Sequence, residues 1–462
     1  MRRPASHPTV PARPDRRHDV LVAGGGPAGA TAAILLARAG LDVAVAERAR
    51  FPRFHVGESL LPRNLPLLRE LGVAGRLGEV PHHRKLGAEF AYGHEAGSLR
   101  FRFKEGLIDR DTETLNVERA AFDALLLDQA RRAGATVFEE TAVREILALG
   151  EDGAVVRLAG RAEGVVAARQ LLDATGQSTL VGKHLGTREV YPDHRKVAFF
   201  GHLRGVERLP GDEAGHPCIV MMEDGWFWLI ALDAERTSAG LVMDADRARR
   251  AGREHGVPPE RMLAWGIARC PFVARRARDA VLPETNHVGA DFSYRCRPYA
   301  GPGYFLLGDA ATFLDPIFST GICLAMVGAA EAARGVERIL AGGDPVPVRS
   351  AYCRFVDAGT ETFFRLVRRY YQPAFRDLMM EGEGPLSVHR ALFSLLAGHV
   401  FPRPPWPLRW RLRLMELLTE VQARVPLVSR RPTVPLYEPA DAPDAPDAAA
   451  EAGRLPSAEA AR

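Results

Sequence analysis

Lysine is nearly missing from this chain. Only four of its 61 basic residues are lysines, at Lys85, Lys104, Lys183 and Lys196, and arginine fills the rest. Where arginine is the default cation, a retained lysine points to a need for a compact, titratable amine. Cysteine is sparse as well. Cys218, Cys270, Cys296, Cys323 and Cys353 are odd in number and form no C-x-x-C pair. A disulfide framework and a zinc site are thereby excluded, and a reducing, cytoplasmic compartment is expected. There is no H-E-x-x-H, so no metal site is expected. No apolar run is long enough to span a bilayer: the longest, Val20 to Ala37, is interrupted by glycines and a proline. No apolar core precedes Val20, so a secretory signal is not expected. Nor is there a strong excess of one charge, the formal net charge being +4. The arginine-rich start and the acidic end offset each other and leave a mildly basic body, which argues against nucleic-acid binding. What remains is ordinary globular usage, 47% hydrophobic and 26% charged over 462 residues, room for two or three subdomains.

Residues 1–17 are rich in proline and arginine, residues 438–462 in alanine, proline and aspartate, and both read as disordered tails. Between them, Asp19 to Ala23 is a short apolar strand running into glycines. Pro27 to Arg38 is an alanine-rich helix with proline at its start and Gly40 after its end. Leu41 to Glu47 alternates into a second strand, which completes a βαβ opening. Arg119 to Arg132 has helical spacing, Asp152-Gly153 marks a hairpin, and Leu171 to Ala174 is another buried strand. Strand-like runs at Lys196–Leu203, Cys218–Met222, Trp226–Leu232 and Ala239–Met243 predict a second sheet. Tyr304 to Gly308 is one more strand, and Ile322 to Leu340 a helix. Val348 to Val425 is helical apart from a proline-rich break at Phe401–Pro407.

Gly24-Gly25-Gly26-Pro27-Ala28-Gly29 sits between that first strand and helix and satisfies G-x-G-x-x-G. Gly24 permits the tight turn, Gly26 lets backbone N–H groups approach a pyrophosphate, and Gly29 lets helix pack on strand. The helix N-terminus, opened by Pro27 and Ala28, favours negative charge. Glu47, at the end of the second strand, is placed to take ribose hydroxyls, with Arg48 beside it. Far downstream, Gly308-Asp309-Ala310-Ala311 follows a strand. It resembles the Gly-Asp motif of flavoproteins similar to p-hydroxybenzoate hydroxylase, whose aspartate holds the ribityl chain of FAD. Arg119 and Asp173 to Gly176 also sit where those proteins place FAD-domain elements. No second G-x-G-x-x-G is present for a nicotinamide dinucleotide, so a separate flavin reductase is expected.

Four stretches sharpen the reading: Phe51 to Pro62 with Gly57-Glu58-Ser59, Arg84 to Phe90 with Lys85, Gly225 to Leu232 with Trp226 and Trp228, and Asp291–Tyr294 followed by Gly308–Gly321. Over about residues 18–345 the chain resembles the flavin-dependent halogenases, especially those acting on phenols, pyrroles or carrier-tethered aromatic rings. The resemblance implies that reduced FAD (FADH2), oxygen and chloride or bromide yield hypohalous acid, which travels to a lysine beside the substrate. Lys85 matches that lysine; the alternative is a surface lysine whose stem covers apolar area. Glu58 matches the glutamate near flavin and tunnel; the alternative is a carboxylate capping the next turn. Ser319, Thr320 and Gly321 match the halide site, a backbone anion nest that would equally suit, with Ile322, the flavin pyrimidine. Trp226 and Trp228 match a W-x-W-x-I-P element that keeps substrate from the flavin, although Ala231 stands where the family has proline. The same pair, on one strand face, is also a plain sheet core. Asp291 matches an aspartate that some relatives join to the flavin methyl group; a strand-end carboxylate accepting backbone hydrogen bonds is the plainer reading.

The expected fold is α/β. A Rossmann-type FAD-binding domain (18–80, 111–190 and 288–345) carries an inserted β-sheet substrate domain (81–110 and 191–287) and a helical C-terminal region (346–437). The expected reaction is halogenation of an electron-rich aromatic ring, free or on an acyl or peptidyl carrier protein. An aromatic monooxygenase and an isoprenoid double-bond reductase stay open as alternatives. Seven arginines between Phe401 and Tyr437 are either a carrier-docking face or a solvated helix surface. Arg365, Arg368 and Arg369 beside Tyr370 and Tyr371 either line a substrate mouth or coat a helix.

Overall fold

The computed structural model describes residues 14–94, 97–401 and 403–436, with the side chains of 192–194 and 290–292 left aside. Of the expected tails, 1–13 and 438–462 lie outside the described residues. The first strand, Arg16–Ala23, begins two residues inside the segment read as tail.

That strand is the centre of the nucleotide-binding sheet. Five strands run parallel in the order Tyr304–Leu306, Gly164–Asp173, Arg16–Ala23, Val43–Ala46, Thr136–Phe138. Val20, Leu21 and Val22 are at most 1% exposed, as an apolar run covered on both faces must be. The helix Pro27–Arg38 buries almost all of its alanines. It packs against Arg119–Arg132 and Gly321–Leu340. The Asp152-Gly153 turn forms as read, with Gly153 at φ +107°, and joins two antiparallel strands to the sheet edge.

The second sheet has eight strands in the order Thr312–Phe313, His287–Cys296, Arg188–Arg204, Arg236–Asp244, Gly225–Ala231, Cys218–Met221, Gly87–Tyr92, Ser98–Arg102. Two boundaries differ from expectation. His287–Cys296 belongs here rather than with the FAD-binding part, because it pairs with Arg188–Arg204 along nearly its whole length. Asp291 accordingly lies opposite Lys196 inside the strand, not at a strand end; its side chain is outside those described. Lys85 is not in this sheet either. Its strand, His82–Lys85, pairs with Thr114–Val117 as a separate two-stranded ladder.

The C-terminal region is helical as read: Pro345–Tyr370, Pro373–Met380, Val388–Leu396 and Trp406–Arg424. Apolar side chains of all four join the core that also holds the nucleotide-binding sheet and the tryptophan strand. Among the described residues no helix is long and apolar enough to cross a membrane.

Candidate active site

The glycine turn has the shape that a dinucleotide requires. Gly24 sits at φ +106°, where a Cβ would lie 2.3 Å from the Ala174 carbonyl oxygen, and a Cβ on Gly29 would lie 1.9 Å from that of Gly24. Those two glycines serve packing. Gly26 differs: its Cβ would meet only the Arg53 guanidinium, at 3.6 Å, so its backbone is open to a ligand. Glu47 anchors the neighbouring strand end, Oε2 accepting from Gly25 N–H at 2.7 Å and Oε1 from Ala49 N–H at 2.8 Å. Each oxygen keeps a lone pair for a ribose hydroxyl. Arg48 is exposed, 3.5 Å from Ser178 Oγ. Gly308, at φ +54°, packs on Ala325 and within reach of Ala28, which brings the distant Gly-Asp loop to the first helix. Asp309 is half-buried there, and its carbonyl accepts from Tyr294 OH at 2.7 Å. The open cradle, the acid at the strand end and the Gly-Asp loop together fit FAD.

Arg119 is buried and works inside the protein. Its Nε and Nη2 hold Asp123 at 2.8 and 2.9 Å, and its Nη1 donates to the carbonyls of Val56 and Gly57. Asp123 also accepts from Arg53 at 2.9 Å. Burial works against the Arg119 charge, but Asp123 more than offsets it and holds the guanidinium above its ordinary range. Arg119 thus pins the segment that leads into Glu58, while Arg53 presents a cation to the glycine turn. Sequence reasoning did not single out Arg53, although it lies in the stretch Phe51 to Pro62.

Glu58, Ser59 and Leu60 extend the lysine ladder. Val117 N–H donates to the Glu58 carbonyl, Leu60 N–H to the Leu115 carbonyl, and Ser59 bridges to Asn116. Thr114–Val117 is therefore the middle of three short strands, with Glu58–Leu60 on one side and Lys85 on the other. The Lys85 side chain crosses this ladder. It is 3% exposed, and Nζ donates to Ser59 Oγ at 2.9 Å and to the Leu60 carbonyl at 3.0 Å. Nζ also stands 5.4 Å above the Phe103 ring. Burial alone pulls its pKa from 10.5 to about 7. Two acceptors serve the two N–H groups of a neutral amine and leave its lone pair unused. The surface-lysine alternative is thereby excluded.

Glu58 is 2% exposed, and its Oε1 shares a 2.6 Å hydrogen bond with His202 Nε2. Phe54 tilts over the same ring at 5.5 Å. His202 was missed by sequence reading. Its only trace is an inward position on the strand Lys196–Leu203, which an apolar pattern does not distinguish.

Trp226 and Trp228 share a strand face with ring centroids 5.9 Å apart. Trp228 Nε1 donates to Ser238 Oγ at 3.0 Å, and its ring lies over Gly240, where any Cβ would sit 2.2 Å from it. Trp226 Nε1 donates to Tyr371 OH at 3.0 Å, and that hydroxyl donates to Asp315 Oδ2 at 2.6 Å. Burial first, then Asp315, pushes the Tyr371 hydroxyl well above its ordinary pKa. Of the aromatic pair flagged in the C-terminal region, Tyr371 thus reaches the site. Arg369 pairs with Glu420 and Arg368 lies over Phe364, which places them on the helix surface.

Asp315 also caps the loop of the expected halide site, accepting from Ile317 N–H at 3.0 Å. Ser319 is left-handed at φ +55°, Thr320 is buried, and Gly321 opens a 20-residue helix with nothing within 4 Å of where its Cβ would be. Ile322 is buried just behind it. The first N–H groups of such a helix suit an anion.

Comparison with known proteins follows this geometry. Residues 17–345 match the FAD binding domain family. The chain is 30% identical over 399 residues to the 1H-pyrrole-2-carbonyl-(peptidyl-carrier protein) brominase of Pseudoalteromonas luteoviolacea, covering 85% of this chain and 94% of that protein. It is 35% identical over 329 residues to the tryptophan 2-halogenase of Chondromyces crocatus, covering 70% of this chain and 62% of that one. The solved structure of the flavin-dependent brominase Bmp2 superposes with a TM-score of 0.77 at 27% identity, over 87% of this chain and 99% of that one. The two brominase alignments cover more than the FAD-binding match alone, so the shared architecture takes in C-terminal helices as well. Of the three activities left open by the sequence, halogenation is the one named for these relatives, and the chain belongs to the flavin-dependent halogenases.

Proposed function

We propose that this enzyme halogenates an electron-rich aromatic ring, a phenol or a pyrrole, and that Lys85 aims the halogen. The observation that carries the reading is the buried, carboxylate-free Lys85 amine, with both N–H groups of its neutral form engaged and its pKa drawn down to about 7. FAD, bound in its reduced form, supplies the electrons with which oxygen is activated to turn halide into hypohalous acid. Gly26, Glu47 and Asp309 are the residues assigned to hold it, with Arg53 facing the phosphates, Arg48 at the rim, and Gly24, Gly29 and Arg119 shaping the cradle from within the protein. Thr320 and Gly321 hold the halide by backbone N–H groups; Ser319, whose own N–H donates to the Pro316 carbonyl at 3.0 Å, shapes the loop with its left-handed backbone. The Lys85 lone pair takes the halogen of hypohalous acid; hydroxide departs and leaves as water with the amine proton. The ring then takes the halogen, and its displaced proton restores the amine. Guanidinium offers no such lone pair, which is the chemical reason for lysine in an arginine-rich chain. Glu58, held by His202, orients the neighbouring Ser59 and through it the amine's surroundings. Trp226 and Trp228 wall substrate from the flavin.

The relative from Pseudoalteromonas acts on a pyrrole carried by a peptidyl carrier protein, which supports a tethered substrate here. A separate NAD(P)H-dependent flavin reductase and a cytoplasmic setting complete the proposal. The test is incubation with FAD, a reductase, NADH, chloride or bromide, and a panel of phenols and pyrroles, read by isotope pattern. Lys85→Ala should lose halogenated product at least about a hundredfold while retaining FAD and still consuming NADH. Undiminished product from that variant removes Lys85 from the chemistry.

A further inference from the structure

Beside Lys85 lie buried polar atoms that the protein itself does not satisfy. In the ladder, Thr114 stands opposite Lys85, and Asn116 is two residues along, on the same face and opposite Ser59. Asn116 is fully buried. Its Nδ2 donates to the Gly215 carbonyl at 2.8 Å, which fixes the amide's orientation, and its Oδ1 has no hydrogen-bond partner. The chain continues from Gly215 into His216, 5% exposed, whose Nδ1 and Nε2 are both buried without a partner. Gly215 is pressed against Arg84: a Cβ there would lie 1.9 Å from the Arg84 carbonyl oxygen. The segment 215–216 is thus laid against the lysine strand and tied to the middle of the ladder. Burial, and less strongly the charges of Arg102 and Lys85, lowers the His216 pKa to about 4 against the opposing pull of Glu213 and Glu89. The ring is neutral near pH 7, with one N–H donor and one acceptor. A buried polar atom left unpaired is costly, and three of them on segments laid against the lysine strand call for a ligand.

We propose that Asn116 and His216 seat the polar edge of the aromatic substrate beside Lys85, with Asn116 Oδ1 accepting from a ring N–H or phenolic O–H. This rests on the reading of Lys85 as the aiming amine. It adds a substrate requirement: the ring must present a hydrogen-bond donor, and that donor sets which carbon faces the amine. His216 and Asn116 are positioning residues in this scheme and take no part in halide oxidation.

The experiment uses the full chain with FAD, reductase, NADH and bromide. It compares a phenol with its methyl ether, and a pyrrole carboxamide with its N-methyl form. His216→Phe is the cleaner variant, since the imidazole makes no hydrogen bond that folding would lose; Asn116→Leu is the second. Each should raise KM for the N–H or O–H substrate at least about tenfold and broaden the product isomers. KM for the methylated analogue and FAD loading should not change. Whichever arm, phenol or pyrrole, shows the loss names the donor. Unchanged KM and isomer ratio in both variants, in an enzyme that still depends on Lys85, overturns this inference alone. Full halogenation by Lys85→Ala overturns the underlying reading and this inference together.

Discussion

At the scale of single residues, the decisive fact is an amine buried without a carboxylate. The Lys85 pKa falls from 10.5 to about 7 on folding. Between those values the unfolded chain binds a proton that the folded one does not, so the residue's contribution to stability improves as pH rises through that window. In denaturant unfolding at pH 7 and pH 9, wild type should therefore gain on Lys85→Met at the higher pH. If the neutral amine is the working form, kcat should also rise with pH through about 7. A rate that falls across that range would assign the work to the ammonium instead. His202 is the residue-scale partner on the other branch. His202→Ala leaves the Glu58 carboxylate buried without its imidazole partner and should cost about 1–3 kcal/mol in the same measurement. Lys85 was legible in sequence because lysine is rare here and this one sits in the stretch Arg84 to Phe90. His202 was not, because one polar residue on a strand face carries no periodic signal.

Elements place these side chains, and their glycines divide into two kinds. Gly29 and Gly24 have backbone atoms 1.9 and 2.3 Å from where a Cβ would go, whereas Gly26 is open. Gly29→Val should therefore fail to fold. Gly26→Val should fold with wild-type unfolding behaviour but weaken FAD binding at least about tenfold, read by flavin fluorescence. The opening strand, helix and second strand were legible apart from the strand ends, because a βαβ unit is built from local apolar periods and a glycine turn. The lysine ladder was not. It is assembled from segments 58–60, 82–85 and 114–117, each too short to show a pattern and each meaningful only when paired. Pairing is also what moves His287–Cys296 into the second sheet: a ten-residue strand follows its hydrogen-bonding partner, whatever domain its neighbours in sequence suggest.

Over the whole molecule, the C-terminal helices complete the site instead of merely extending the chain. Tyr371 links Trp226 to Asp315, and so joins the tryptophan pair to the loop that leads into Ser319–Gly321. Tyr371→Phe should cost about 1–3 kcal/mol in denaturant unfolding and raise KM for halide, because Asp315 then loses a donor that holds the loop. An effect on stability with no change in halide KM would make the link purely structural. The sequence by itself determined the nucleotide-binding unit and the halogenase resemblance and singled out Lys85, since each is written in contiguous residues whose chemistry or period is local. Only the tertiary structure decided that the lysine is buried and paired to Ser59, that His202 meets Glu58, and that Tyr371 closes on Trp226. These are contacts between segments 26 to 145 residues apart, and burial, which sets the amine's proton affinity, is a property of everything packed around it.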